Sequence, residues 1–89
     1  MEIYQSNKPG KRLVAVFEDG DYTYFGLDTG ITYIDHGDKT LQKNYIARHR
    51  PNEDWNDYKS AGALSRWILW GASTDIHKNI ESFKKRFDL

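Results

Sequence analysis

The chain has 89 residues, enough for one domain and too few for two. It contains no cysteine, which excludes a disulfide framework and a thiolate metal site. No apolar run approaches the roughly 20 residues that cross a bilayer, and the N-terminus lacks the apolar centre of a signal peptide. We therefore expect an intracellular protein that is neither secreted nor bound to a membrane.

The net charge is zero, but the two halves of the chain differ in charge. Residues 1–38 carry three basic and seven acidic side chains, a balance of −4, whereas residues 39–89 carry ten and six, a balance of +4. The halves can pack together and neutralise each other. Alternatively, the C-terminal half presents a basic face to phosphate or to an acidic protein.

The N-terminal third has the pattern of a small antiparallel sheet. Ile3 and Tyr4 can start a short edge strand, and the next predicted strand runs from Lys11 or Arg12 to Phe17. The following Asp-Gly pair is typical of a two-residue hairpin turn, and residues 22–26 form the returning strand.

A two-residue turn would fix the register of this hairpin. Phe17 would face Tyr22 and Ala15 would face Tyr24 on one side, while Val14 would face Phe25 on the other. Both sides carry apolar groups, so we expect one to pack on the helices. The other is then covered by a tail or is an interaction surface.

The segment after the hairpin begins with a candidate third strand at residues 31–34. Asp38 is a good N-cap for a first helix over 39–49, whose inner side would carry Leu41, Tyr45 and Ile46. Pro51 disfavours helical geometry at the residue before it and so ends the helix.

The C-terminal part predicts two more helices after a loop that Trp55 holds in place. One helix covers residues 61–70, with Ser60 as N-cap and Gly71 as C-cap. The other opens within residues 73–75 and ends near Phe87.

The predicted fold is one α+β domain over residues 1–89, with a β-rich part at 1–37 and a helical part at 38–89. A small antiparallel sheet, made of a hairpin plus one or two short strands, is followed by three α-helices packed on it. All three tryptophans lie between Tyr45 and Gly71, and large rings contribute much of a small core. The predicted core residues are Phe17, Tyr22, Tyr45, Trp55, Leu64, Trp67, Ile68, Trp70, Ile80 and Phe83.

Basic residues near the tryptophans are the candidate binding residues. Arginine offers a planar fork for phosphate, and aromatic rings can stack on bases. Alternatively, Arg48 or Arg66 is partly buried, pairs with nearby acids and stacks on Trp55 or Trp67. The candidates are Arg48, His49, Arg50, Arg66, Lys84, Lys85 and Arg86.

No catalytic or metal-binding motif stands out. The three histidines lie in different elements without zinc-ligand spacing, and there is neither a nucleophile elbow nor a P-loop. A hydrolase that uses His49 with Glu53 would need a cleft that gathers both groups. We therefore predict no enzyme activity, no metal and no cofactor.

The segments Y-I-A-R-H at 45–49, E-D-W at 53–55, A-G-A-L-S-R-W-I-L-W at 61–70 and K-K-R-F at 84–87 form a combined pattern. This pattern resembles an uncharacterised family of small proteins of large algal and protist DNA viruses and of some tailed phages. One departure is Gly71-Ala72-Ser73, where similar proteins often have Asn-Lys-Pro.

The resemblance implies a viral origin and a location in the virion or the host cell interior, but no known activity. The leading hypothesis is a non-enzymatic interaction protein, a small virion or assembly component with protein partners. The alternative is a nucleic-acid-binding module that uses the basic C-terminal surface.

Overall fold

A computed structural model describes residues 1–89, and it confirms the α+β class. Three strands form an antiparallel sheet in the order β1-β2-β3, with β1 at Glu2–Gln5, β2 at Lys11–Val16 and β3 at Tyr22–Leu27. Four helices follow: α1 at Tyr33–His36, α2 at Lys39–His49, α3 beginning at Ala61 and α4 at Ile76–Arg86. No helix has both the length and the apolar character needed to cross a bilayer.

The hairpin between β2 and β3 has a three-residue loop, so the predicted two-residue turn is wrong. The Gly20 N–H donates to the Phe17 carbonyl (3.0 Å), and the Phe17 N–H donates to the Asp21 carbonyl (2.8 Å). Gly20 has a φ of +92°, the conformation that follows a type I turn in such loops.

The longer loop shifts the register by one residue. Val16 pairs with Tyr22, and Leu13 pairs with Phe25. Because alternate residues point to opposite faces, the shift exchanges the sides of every β3 side chain. Phe25 is therefore buried, whereas Tyr22 is 65% exposed, and its prediction as a core residue is wrong.

The candidate third strand is the short helix α1. Its N-cap is Thr32, whose backbone N–H and hydroxyl both donate to the Asp35 carboxylate, at 2.8 and 2.9 Å. This capping box satisfies helix-end groups locally and outweighs the β-propensity of the segment. The helical part thus begins at Tyr33, inside the part predicted to be β-rich.

Helices α2 and α4 match their predicted bounds because both have clear local start signals. The Asp38 carboxylate accepts from Thr40 and Leu41 N–H groups, and Asp75 accepts from His77 N–H. Leu41 is exposed, however, so its placement on the inner side of α2 is wrong.

Helix α3 changes type along its length. Residues Ala61–Leu64 are α-helical, and Ser65–Leu69 form a π-helical turn in which Trp70 N–H donates to the Ser65 carbonyl. The wider turn brings residues four and five apart onto one side. Leu64, Ile68 and Leu69 are therefore all buried.

The core lies between the inner face of the sheet and helices α3 and α4. Its buried members are Met1, Leu13, Ala15, Phe17, Phe25, Leu64, Ile68, Leu69 and Phe83. Trp67, Trp70 and Ile80 are half-buried and pack against it. Trp55 is half-buried outside the core, where its ring meets the edge of Trp67 at 6.3 Å.

Candidate functional site

Three arginines and two tryptophans form a continuous cluster beside α3. The Arg66 guanidinium lies 4.4 Å from the centre of the Trp67 ring and 5.3 Å from that of Trp55. Arg86 covers Trp67 at 3.7 Å, and Arg50 lies 5.9 Å from Trp55. We call these five residues the arginine–indole cluster. The negative face of each indole ring attracts the positive guanidinium groups that lie over it.

Arg66 is the most enclosed cation of the cluster. One of its terminal nitrogens donates to the Trp70 carbonyl at 2.8 Å, whereas its Nε is buried without a partner. Burial lowers the pKa of Arg66, and the positive charges of Arg86 and Arg50 act in the same direction. An arginine still keeps its charge at neutral pH, so the cluster concentrates positive charge.

None of the three arginines makes an ion pair. The ion pairs of the structure are Arg12 with Asp35, His49 with Glu53, and Lys59 with Asp19 and Asp21. Lys59 is thus the only basic residue of the C-terminal half that forms ion pairs with acidic residues of the N-terminal half. Arg66 is partly buried and lies over both indoles, as the structural alternative for this residue predicted. The ion pair with a nearby acidic side chain, which the same alternative predicted, is absent.

A groove between α2 and α4 adjoins the cluster. It has a volume of about 430 Å³, and Arg66, Trp67 and Arg86 form part of its wall. Lys39 adds a third cation, and no acidic side chain lines the groove. We call it the α2–α4 groove; its lining favours an anionic occupant by charge alone.

The turn that carries Trp67 is fixed by Asn79, a buried residue of α4. Its side-chain amide donates to the Ile68 carbonyl (2.9 Å) and the Ser73 carbonyl (2.7 Å), and its Oδ1 accepts from Ser73 N–H. Asn79 is not among the residues that the sequence pattern singled out. The signal was a polar residue within the apolar stripe formed by Ile76, Ile80 and Phe83.

The other candidate residues lie elsewhere. Arg48 and His49 line a second cleft, on the β3 side of α2. Lys84 lines a groove beside β1, and Lys85 is exposed. The structure therefore brings together only three of the six candidate arginines and lysines, namely Arg50, Arg66 and Arg86.

His49 and Glu53 do meet. His49 Nδ1 lies 2.7 Å from Glu53 Oε2, and the imidazole stacks on Tyr45 at 4.2 Å. Tyr45 stacks in turn on Trp70, also at 4.2 Å, with the ring planes only 4° apart. Burial raises the pKa of the Tyr45 phenol, and the Glu53 charge adds to this effect. No group of three histidine or carboxylate side chains is arranged to hold a metal ion.

The molecule is thus a small α+β protein with a basic, aromatic groove on its helical side. Residues 1–49 match a family described as "Family of unknown function (DUF5754)", and the chain belongs to this family. The matched residues comprise the sheet, α1 and α2, so the arginine–indole cluster lies beyond them. No curated protein and no solved structure matches the chain.

Proposed function

We propose that this protein is a non-enzymatic nucleic-acid-binding module whose contact surface is the arginine–indole cluster with the adjoining α2–α4 groove. The observation that carries the proposal is a set of stacked arginines with no carboxylate partner. Arg66 is partly removed from water and has no counter-charge, and such a cation gains free energy when an anion supplies the charge. Arg50 and Arg86 are exposed and can reach the same anion.

The geometry of the cluster suits phosphate and base together. The guanidinium fork of arginine can bind two phosphate oxygens, and contact with an indole ring restricts the positions that the fork can take. Trp55 and Trp67 are half-buried with arginines over both rings, so the indoles support the guanidinium groups that would face a partner. Phosphate contacts combined with aromatic surface are the usual means of sequence-independent binding to single strands.

A titration with labelled single-stranded and duplex DNA at two salt concentrations tests the proposal, with fluorescence anisotropy as the readout. We expect affinity at low salt that falls as salt rises, because bound phosphates release counterions. Arg86→Gln should weaken binding and reduce the salt slope by about one. The control is Lys85→Gln, which removes an exposed charge next to Arg86 but outside the groove.

Two results would overturn the proposal. One is affinity that is absent at low salt or does not respond to salt. The other is an equal loss of DNA affinity in Arg86→Gln and Lys85→Gln, since that would indicate attraction to the overall charge rather than binding at the groove.

A second candidate function is that of a virus-encoded interaction protein, a small component of the virion or of its assembly. It is supported by the resemblance given above and by the outer face of the sheet. Tyr4 and Tyr22 are exposed there, and Tyr22 meets Tyr24 edge to face at 5.8 Å. Tyrosines that expose large, rigid rings are frequent in protein interfaces.

Mass spectrometry of purified virions tests this second candidate. Absence of the chain from virions would remove the virion role. If the chain is present, Tyr22→Ser should lower its incorporation more than Leu41→Ser, which changes an exposed apolar residue on α2. Equal incorporation of the two variants would argue against the sheet face as the contact.

A further inference from the structure

A second cleft lies between β3, the C-terminal end of α2 and α3. It has a volume of about 350 Å³ and shares no lining residue with the α2–α4 groove. Phe25, Leu69 and Tyr45 lie beneath its floor and are buried, and Trp70 is half-buried at its wall. A concave site of this size with apolar walls is the usual form of a small-molecule pocket.

Two exposed apolar side chains also line this cleft. Leu27 is 62% exposed and Ile31 is 70% exposed, and Ile31 is the most exposed large hydrophobic residue of the chain. Exposed aliphatic residues are ordinary when scattered, but these two border the same apolar cavity. Together with the half-buried Trp70 they provide apolar surface that a bound molecule can contact.

The charged groups of the cleft are all basic. Lys11, Arg48 and His49 line it, and no carboxylate does. Lys11 and Arg48 have no ion-pair partner, and Arg48 is exposed. His49 is paired through Nδ1 with Glu53, which lies outside the lining. An occupant with one negative charge would thus find cations at the cleft and no opposing acid.

We propose that this cleft binds a small molecule with an apolar body and a single anionic group, such as an aryl or alkyl carboxylate. The apolar body would lie against Leu27, Ile31 and Trp70, and the anionic group would face Arg48 and Lys11. Burial of the body supplies most of the affinity, and the cations orient the ligand.

Titrations of the isotopically labelled protein followed by NMR chemical shifts test this proposal. The probes are indole-3-acetate, its neutral counterpart indole-3-acetamide, octanoate and inorganic phosphate. We expect saturable shifts at Gly30, Ile31 and Ser65 with at least one of the two carboxylates. The preference between indole-3-acetate and octanoate then shows whether the body is flat or a flexible chain.

Arg48→Gln should weaken carboxylate binding by about five-fold, the effect of one exposed charge contact, and leave indole-3-acetamide binding unchanged. Lys11→Gln is a second variant with the same expectation. The control is Lys43→Gln, which removes an exposed charge of α2 outside both the cleft and the arginine–indole cluster and should leave carboxylate affinity unchanged.

Three outcomes would overturn the proposal: no saturable shift with either carboxylate, equal affinity for indole-3-acetate and its amide, or binding of inorganic phosphate as tight as that of the carboxylates. The DNA titration depends on Arg86 and is read in separate experiments. Either proposal can therefore fail while the other stands.

Discussion

The side chain of Asn79 donates a hydrogen bond to the main-chain carbonyl of Ile68, 2.9 Å away and in a different helix. The π-helical turn of α3 changes the regular hydrogen-bond pattern at this point, and Asn79 gives the Ile68 carbonyl a donor. The same amide holds Ser73 through two more hydrogen bonds. One buried polar residue thus links the α3 turn, the α3–α4 connection and α4.

Replacing Asn79 with alanine should lower the free energy of unfolding by about 2–4 kcal/mol, because buried main-chain groups lose their partners. Asn79→Asp should be at least as harmful, since it places an acceptor against the Ile68 and Ser73 carbonyls. Urea unfolding followed by circular dichroism measures both. Lys78→Ala, at an exposed position of the same helix, serves as control, and a similar loss in all three variants would contradict the role of Asn79.

Gly71 is required where the end of α3 passes close to α4. A Cβ atom at this position would collide with the Trp67 carbonyl oxygen and lie 2.8 Å from Cγ of Asn79. Gly71→Ala should therefore destabilise the protein by about 1–3 kcal/mol through overpacking. Thermal unfolding measures the change, with the exposed neighbour Ala72→Ser as control. A Gly71→Ala protein with an unchanged midpoint would show that the backbone can move away at little cost.

The hairpin loop depends on Gly20 for a different reason. A Cβ atom at Gly20 would meet no other atom within 4 Å, so only its φ of +92° disfavours a side chain. Gly20→Ala should cost about 1 kcal/mol, whereas Gly20→Asn should cost less because asparagine tolerates positive φ better. Chemical denaturation distinguishes the two variants. Equal stability of the alanine and asparagine variants would contradict a positive φ at Gly20.

The start and end of α2 and the start of α4 could be predicted because their signals are local. Asp38 and Asp75 cap the helices, and α2 ends at His49 as predicted. The predicted cause is wrong, because Arg50 keeps helical angles (φ −50°, ψ −46°) before Pro51, and residues Arg50–Asn52 continue as a 3-10 turn. The hairpin register could not be read from the turn alone, because an Asp-Gly pair suits both a two-residue and a three-residue loop. The buried position of Phe25 between β2 and the helices decides the register, and that is a tertiary effect.

Only part of the candidate site could be predicted, because some of its contacts are local in the sequence and others depend on how the helices pack. Arg66 lies next to Trp67 in the sequence, so their contact is nearly local. Arg86 reaches Trp67 because α4 packs against the π-helical turn of α3, and Asn79 joins α4 to that turn by a hydrogen bond. The α2–α4 groove is likewise produced by helix packing, which the periodicity of single helices does not define.

The ion pair between Arg12 and Asp35 gives the protein a stability that depends on pH. The two oxygens of Asp35 accept from the guanidinium at 2.7 and 2.9 Å, and Thr32 donates to the same carboxylate. The Arg12 hydrogen bonds hold the pKa of Asp35 well below its ordinary value. The pair links the start of β2 to the cap of α1.

A carboxyl group with a lowered pKa in the folded state contributes its full stability above its unfolded pKa, which is about 3.9. That contribution is lost as the pH falls from this value toward the folded pKa, because the unfolded chain then binds the proton more readily. Both side chains are about a quarter to a third exposed, so solvent screening reduces the effect. We therefore expect Asp35→Asn to destabilise the protein by about 1–2 kcal/mol at pH 7.

The difference in the free energy of unfolding between wild type and Asp35→Asn should remain constant from neutral pH to about pH 5. It should shrink below about pH 4, where the wild-type carboxyl begins to contribute less stability. Urea unfolding at a series of pH values measures this difference directly. Glu81→Gln, which neutralises an exposed acid of α4 without an ion pair, should show no comparable pH-dependent gap. If the difference in the free energy of unfolding between wild type and Asp35→Asn stays constant down to about pH 2, the charge of Asp35 does not matter. Only its hydrogen bonds with Thr32 would then stabilise the fold.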